Sequence, residues 1–316
     1  SPLRFEHERW ARIMGPDIRG FRTWMIDNAH RFDAAIFMTY LYSTATSGIP
    51  AIAGRIPVVF QPTAHDEPPL RIPLFEATFR LADAFMFFTP EERTVVEERF
   101  RFDPVGKVVG IGIELNPPCA ESGDFRNFFD LSDDPYLIYV GRLDPMKGVK
   151  QLCEFFIELK NQYPSSLKLV LAGDPMVELP EHEDIVITGF LEESMKHAAI
   201  KSSLALVQSS FFESFSIVLC EAWVQKRPAL VQGASTVLRG QAIRSNGAIP
   251  YEGYAEFEQA VMMLLEDPDL ADEMGASGRS YVEQQYEWKN VISNVESTLE
   301  IAKAQFKKRT INLSRG

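Results

Sequence analysis

The sequence predicts an α/β protein with two parallel sheets flanked by helices. Short apolar runs alternate with longer amphipathic stretches from Ala34 onward, Glu114–Asp134 is rich in Pro, Asp, Asn and Ser, and the alternation restarts cleanly at Tyr136. Buried parallel strands read as continuous apolar runs, and crossover helices must separate them. The 316 residues, 46% of them hydrophobic, suffice for two cores, because single cores stop growing near about 250–300 residues.

In the first half the runs at Ala34–Met38, Val58–Phe60, Ala84–Phe88 and Val108–Ile113 are expected strands. In the second, strands are expected at Tyr136–Val140, Leu167–Leu171, Ile185–Ile187, Ala205–Val207, Ala229–Val231 and Ala248–Ile249. Helices are expected over Lys147–Tyr163, Glu192–Lys201, Phe215–Trp223 and Tyr254–Leu265. Tyr286, Val291, Val295, Leu299 and Ile301 recur at helical spacing, which predicts one long helix over Glu283–Lys307. The expected division is a first domain over 1–114, a linker over 115–134, a second domain over 135–285 and a terminal helix and tail over 286–316.

A formal charge of -12 argues against nucleic-acid binding, which needs clustered Lys and Arg. Cys119, Cys153 and Cys220 form no C-x-x-C pair, which fits neither a disulfide framework nor a structural zinc site and suits a reducing, cytoplasmic setting. No apolar run approaches the roughly 18–20 residues of a membrane span.

The most informative stretch is Tyr139–Val149. Gly141 permits a tight exit from the strand, Arg142 follows the strand's end, and Lys147 stands where the next helix begins. Two cations and a helix N-terminus at the carboxyl edge of a parallel sheet suit a diphosphate. Arg offers a planar fork of donors and Lys a compact charge, so both can hold a leaving group as its negative charge grows. A surface Arg and Lys on a loop is the alternative.

The second stretch is Glu213–Trp223. Glu213 is expected at a helix start in the mouth of the cleft, and the amides of Phe215 and Ser216 could add a phosphate contact opposite Lys147. Glu221 sits in an apolar helical run, where a carboxylate is costly to bury unless strong donors reach it. Sugar hydroxyls are such donors. The alternative makes Glu213 a helix cap and Glu221 a solvent-side residue.

With G-R-L-D-P-M-K-G and E-S-F-S-I-V-L-C-E in this order, the chain resembles the retaining nucleotide-sugar glycosyltransferases with two Rossmann-like domains, the GT-B fold. The glycogen-synthase-like and mannosyltransferase-like members carry the second motif as E-x7-E. The resemblance runs from Asp33 to about Trp288 and includes Gly110–Glu114, Ala172–Asp174 and Thr188–Leu191. It implies that Arg142 and Lys147 bind the donor diphosphate, Glu221 the ribose, Glu213 hydroxyls of the transferred sugar, and the backbone around Phe190 and Leu191 the base. His65, in Thr63–Asp66, matches a family histidine that acts on the transferred sugar. The resemblance also implies a nucleoside-diphosphate sugar as donor, a carbohydrate or lipid-linked hydroxyl as acceptor, and no requirement for a metal or another cofactor. The terminal helix is expected to return to the first, acceptor-side domain.

Two departures stand out. The family's opening strand and glycine-rich loop have no counterpart before Ala34, so the first domain is expected to be partial, leaving an exposed edge or apolar face. The chain is then a fragment, a shortened variant, or one that another chain completes. Ser216 replaces a common glycine, which restricts the backbone's approach to phosphate.

Asp267-Pro268-Asp269 is better read as helix capping than as metal ligation, and Gly110-Ile-Gly112 lacks the rest of a dinucleotide fingerprint. Arg4, Arg9, Trp10, Arg12, Arg19, Arg22 and Trp24 could touch anionic lipid at an inner membrane face, a solvated helix being the alternative. The expected activity is hexosyl transfer with retention. Its rivals are a non-catalytic sugar-nucleotide-binding or scaffold relative, a sugar-nucleotide epimerase and a phosphorylase.

Overall fold

The computed structural model describes residues 2–315, with side chains from 5 to 311. It forms two compact units, one of residues up to Ile111 with those from Lys289 onward, the other of Gly112–Trp288. Each has its own parallel sheet.

In the first unit the strands β1 (Ala35–Met38), β2 (Val58–Gln61), β3 (Ala84–Phe87) and β4 (Gly106–Val108) lie side by side in sequence order. Around them run α1 (Pro2–Ile13), α2 (Phe21–Asn28), α3 (Ser43–Ile52), α4 (Pro73–Phe79) and α5 (Pro90–Phe100). Successive strand residues point to opposite faces, and both faces here are apolar. Phe37, Val58, Phe60, Phe85 and Phe87 join Ile49, Phe75, Phe79 and Phe100 in one core. Val59, Ala84 and Met86 face the other way, against Val291 and Ala302 of the terminal helix, Trp288–Arg315.

β1 is an outer strand, and Ile36 and Met38 are exposed on it. Within the basic N-terminal segment the side chains separate. Trp10 packs edge-on against Phe75 at 6.2 Å, so it belongs to the core margin, whereas Trp24 is exposed. The Arg4 side chain lies outside the described residues.

The expected strand over Val108–Ile113 is corrected: the strand is Gly106–Val108. The amides of Val109 and Gly110 both donate to the Phe87 carbonyl, which ends the ladder.

In the second unit the strands are β5 (Tyr136–Val140), β6 (Lys168–Ala172), β7 (Ile185–Gly189), β8 (Ala205–Gln208), β9 (Ala229–Gln232) and β10 (Ala248–Tyr251). All pair in parallel, in the order β10-β9-β8-β5-β6-β7. The chain starts in the middle, builds outward to β7, and returns to β8 on the other side of β5. That reversal between β5 and β8 is the switch point at whose carboxyl edge open parallel sheets bind ligands.

The helices of this unit are α6 (Ser122–Phe128), α7 (Val149–Gln162), α8 (Glu193–Lys201), α9 (Ile217–Val224), α10 (Thr236–Ser245), α11 (Tyr254–Glu266) and α12 (Pro268–Tyr286). The stretch read as a linker, 115–134, falls within this unit. It buries Phe125, and Arg126 donates to the carbonyls of Ser132, Asp134 and Ser202 while lying over the Tyr136 ring.

The single helix expected over Glu283–Lys307 is also corrected. It is interrupted at Glu287, which turns extended and bridges to Ile113, and the terminal helix restarts at Trp288. The sequence spacing does not register the break, since Tyr286 packs on Phe215 in the second unit whereas Val291, Val295 and Leu299 pack in the first. No helix among the described residues is long and apolar enough to cross a membrane.

Candidate functional site

The exits of β5 and β8 meet at the switch point. Past β5, Gly141 turns the chain with φ of 147°, Tyr139 donates its hydroxyl to the Arg142 carbonyl at 3.0 Å, and Asp144 caps the short turn Pro145–Lys147 through the Met146 amide. Gly148 has φ of 70°, and a Cβ there would come within 2.3 Å of the Ser209 carbonyl past β8. Only glycine tolerates both the angle and the approach. The Ser209 hydroxyl donates to the Lys147 carbonyl at 2.7 Å, so the two loops are fastened together.

Lys147 and Glu213 form an ion pair across this junction, Nζ to Oε1 at 2.7 Å, with side chains 29% and 13% exposed. Partial burial makes the pair stronger than a surface bridge, because water screens it less. Arg142 points more freely: it is 69% exposed and only 3.9 Å from Asp144. Burial holds the Tyr139 hydroxyl above the usual tyrosine range, Glu213 and Asp144 add to this, and Arg142 opposes it. Those three charges therefore surround one ring at the strand exit.

The expected start of the following helix is corrected. α9 begins at Ile217, and Ser216 is its N-cap residue with φ of 71°. A left-handed serine is strained, which accounts for a glycine suiting this place. Its hydroxyl accepts from Gln208 Nε2 at 2.9 Å, which helps hold the conformation. Phe215 does not open the helix. Its ring is buried against Tyr286 at 4.8 Å between centroids, and its carbonyl accepts from Gln241.

Glu221 lies in the second turn of α9 with a side chain 16% exposed, and its donor is Lys196 of α8, Nζ to Oε1 at 2.8 Å. Sequence reasoning missed Lys196, because it stands 25 residues away with no spacing rule to link it. Burial opposes its charge, yet hydrogen bonds to Glu221 and Glu193 outweigh this and hold it above the usual lysine range. Glu193, His197 and Glu221 bring ligand atoms within 4.8 Å of one another. Lys196 stands among them, at 2.9 Å from both oxygens of Glu193, so their charge is met by an ammonium. Phe190, past β7, is 72% exposed and Leu191 is half-buried. Asp267 accepts from the Leu270 amide and caps α12.

His65 lies in the first unit, past β2. Its Nδ1 is 3.4 Å from Glu67 Oε1, which accepts the Tyr40 hydroxyl at 2.5 Å. The loop carrying it is fixed by Glu92, a wholly buried carboxylate at the start of α5. Glu92 accepts from the Ala64 amide at 2.8 Å, the Phe88 amide at 2.6 Å and the Thr63 amide. Burial pushes its pKa up to about 8, against those three bonds. A carboxyl raised in the fold favours folding below the ordinary carboxylate range and loses that contribution as pH climbs to about 8. Denaturant titrations are therefore expected to show wild type losing stability relative to Glu92→Gln, by on the order of a few kcal/mol, over that window. Parallel pH profiles for the two proteins would sink this.

The family model of the glycosyl transferases group 1 matches residues 123–281, half of the chain. An alpha-D-kanosaminyltransferase of Streptomyces kanamyceticus is 28% identical over 166 residues, covering 49% of this chain and 42% of that protein. A trehalose synthase of Rubrobacter xylanophilus is 27% identical over 202 residues, 54% of this chain and 48% of its own. The chain spans about half the length of the curated relatives it matches. Among solved structures, Anabaena Alr3699/HepE in complex with UDP and glucose superposes with a TM-score of 0.74 at 17% identity, covering 88% of this chain and 81% of that one. Sucrose-phosphate synthase from Thermosynechococcus elongatus gives 0.68 at 17%, covering 96% and 81%. These likenesses show the GT-B fold.

Proposed function

Because the chain belongs to the glycosyl transferases of group 1, we propose that it moves a hexose from a nucleoside-diphosphate sugar to an acceptor hydroxyl with retention of configuration. The observation that carries this reading is the Lys147–Glu213 pair at 2.7 Å across the switch point. A cation and a carboxylate are held there side by side, where a diphosphate and its sugar would need one each.

In the proposed reaction Lys147 and the more exposed Arg142 meet the diphosphate and stabilise the charge that grows on it as the glycosidic bond breaks. Glu213 accepts from hydroxyls of the transferred sugar, and Glu221 from the ribose. Gly141, Phe215 and Ser216 shape the loops, and the backbone at Phe190 and Leu191 meets the base. His65 serves the transferred sugar. The acceptor hydroxyl attacks from the face the leaving group vacates and gives its proton to the departing phosphate oxygen, so no covalent nucleophile is needed, and the two cations do the work a divalent ion does elsewhere. The acceptor is a carbohydrate or a lipid-linked hydroxyl. The UDP and glucose held by the Anabaena protein support the donor class.

A thermal-shift panel of UDP, ADP, GDP and their sugars tests the donor assignment. A ligand at a hundred times its dissociation constant stabilises by about 2.7 kcal/mol, which corresponds to a rise of roughly 5–10 °C for a unit of this size. A flat response to every nucleotide would overturn the reading. Binding without hydrolysis or transfer would leave a sugar-nucleotide-binding protein instead.

A further inference from the structure

We propose that Lys196 is a positioning residue for nucleotide recognition, fixing the Glu221 carboxylate so that its second oxygen is presented to the ribose. The proposal rests on the ribose role of Glu221 given above. Glu221 is the charged residue of an otherwise apolar helix, beside Leu219, Cys220, Ala222 and Trp223, which are all buried. A carboxylate in such surroundings without a counter-charge takes up a proton or swings toward water. Either change would spoil it as an acceptor.

Lys196 prevents both. Its ammonium meets Glu221 Oε1 at 2.8 Å and the two oxygens of Glu193 at 2.9 Å. Being gripped from the Glu193 side, it cannot follow Glu221 outward, so the ion pair defines one direction for the carboxylate. Next to it His197 is buried, with Nδ1 against Gln225 Nε2 at 3.3 Å and Nε2 3.8 Å from Glu193. This packing restrains the turn of α8 from which Lys196 projects. The carboxylate is thus set before nucleotide arrives, so binding need not pay to order it.

The geometry makes a prediction about discrimination, which a lysine of merely structural value would not alter. Calorimetric dissociation constants are compared for UDP, ADP and GDP and for the 2′-deoxy form of each. The wild type is expected to favour the ribose form by about ten- to a hundredfold, because a site that hydrogen-bonds a hydroxyl strongly rejects the analogue lacking it. Lys196→Met should bring that preference below about threefold, mainly through weaker ribonucleotide binding. Lys196→Arg should restore most of it, and Lys196→Gln, which keeps a donor without the charge, should fall between. The Gln and Arg variants carry the test if the Met variant does not fold.

Discrimination by the wild type that persists unchanged in the Met or Gln variant overturns the role of Lys196 and leaves Glu221 standing. A wild type indifferent to the 2′-hydroxyl for every base overturns the ribose role of Glu221, and that of Lys196 with it.

Discussion

Lys147→Ala is expected to lower the turnover of sugar transfer by about 10²–10³-fold, the cost of deleting one pre-organised electrostatic group aimed at developing charge. Two effects add. In the proposed reaction the departing diphosphate loses a cation at the switch point, and Glu213, only 13% exposed, loses the partner 2.7 Å away that compensates it. Arg142 cannot substitute, since it is anchored loosely to Asp144 at 3.9 Å and is largely in water. The turn capped by Asp144 is built from the backbone of Pro145–Lys147, so the fold should survive the change and circular dichroism should match wild type. Steady-state kinetics on a sugar nucleotide and its 5′-diphosphate product would decide the matter. Near-normal turnover in a folded Lys147→Ala protein would count against the whole site.

Trp223→Ala should have the largest effect on stability, about 3–5 kcal/mol, the range for deleting a buried aromatic side chain. The ring is wholly buried on α9, donates Nε1–H to the Gly247 carbonyl at 2.8 Å, and meets Tyr281 edge-on at 5.8 Å. Gly247 and Gly278 press against it so closely that a Cβ would approach ring atoms to 2.5 and 2.2 Å. Those backbones have no side chains to move into the hole, so it would collapse poorly. At roughly 2–4 °C per kcal/mol the second unit should melt about 10 °C lower. Glu221 sits two residues away on the same helix, so nucleotide affinity should weaken too. A guanidinium midpoint unchanged from wild type would refute this.

Much of the fold was legible because parallel strands covered on both faces must be apolar throughout. Tyr136–Val140 reads as a strand from composition alone and is one. What misled lies at element ends. Val109–Ile113 is as apolar as a strand, but two amides share the Phe87 carbonyl there and the ladder stops. Glu287 interrupts an unbroken helical period because its backbone bridges to Ile113, distant in sequence.

Within the site, local spacing brought Arg142 and Lys147 to the exit of β5, and strand order set Glu213 across from them. The partners that hold the carboxylates were invisible for the same reason as the bridges. Lys196 reaches Glu221 between helices, and Glu92 reaches Ala64 between adjacent strand exits. No periodicity encodes such meetings. Ser216, by contrast, reads in the sequence as a departure from glycine, and its positive φ gives that departure a physical meaning.

The first unit is assembled from residues up to Ile111 together with those from Lys289 onward, and this governs the order of events on the ribosome. Domains generally fold as units while synthesis proceeds from the N-terminus. Here Val59, Ala84 and Met86 await Val291 and Ala302, so that sheet face emerges first and is sheathed last. The intervening unit is fully translated before the earlier one can finish. For that interval the sheet face of the nascent chain lacks its apolar cover.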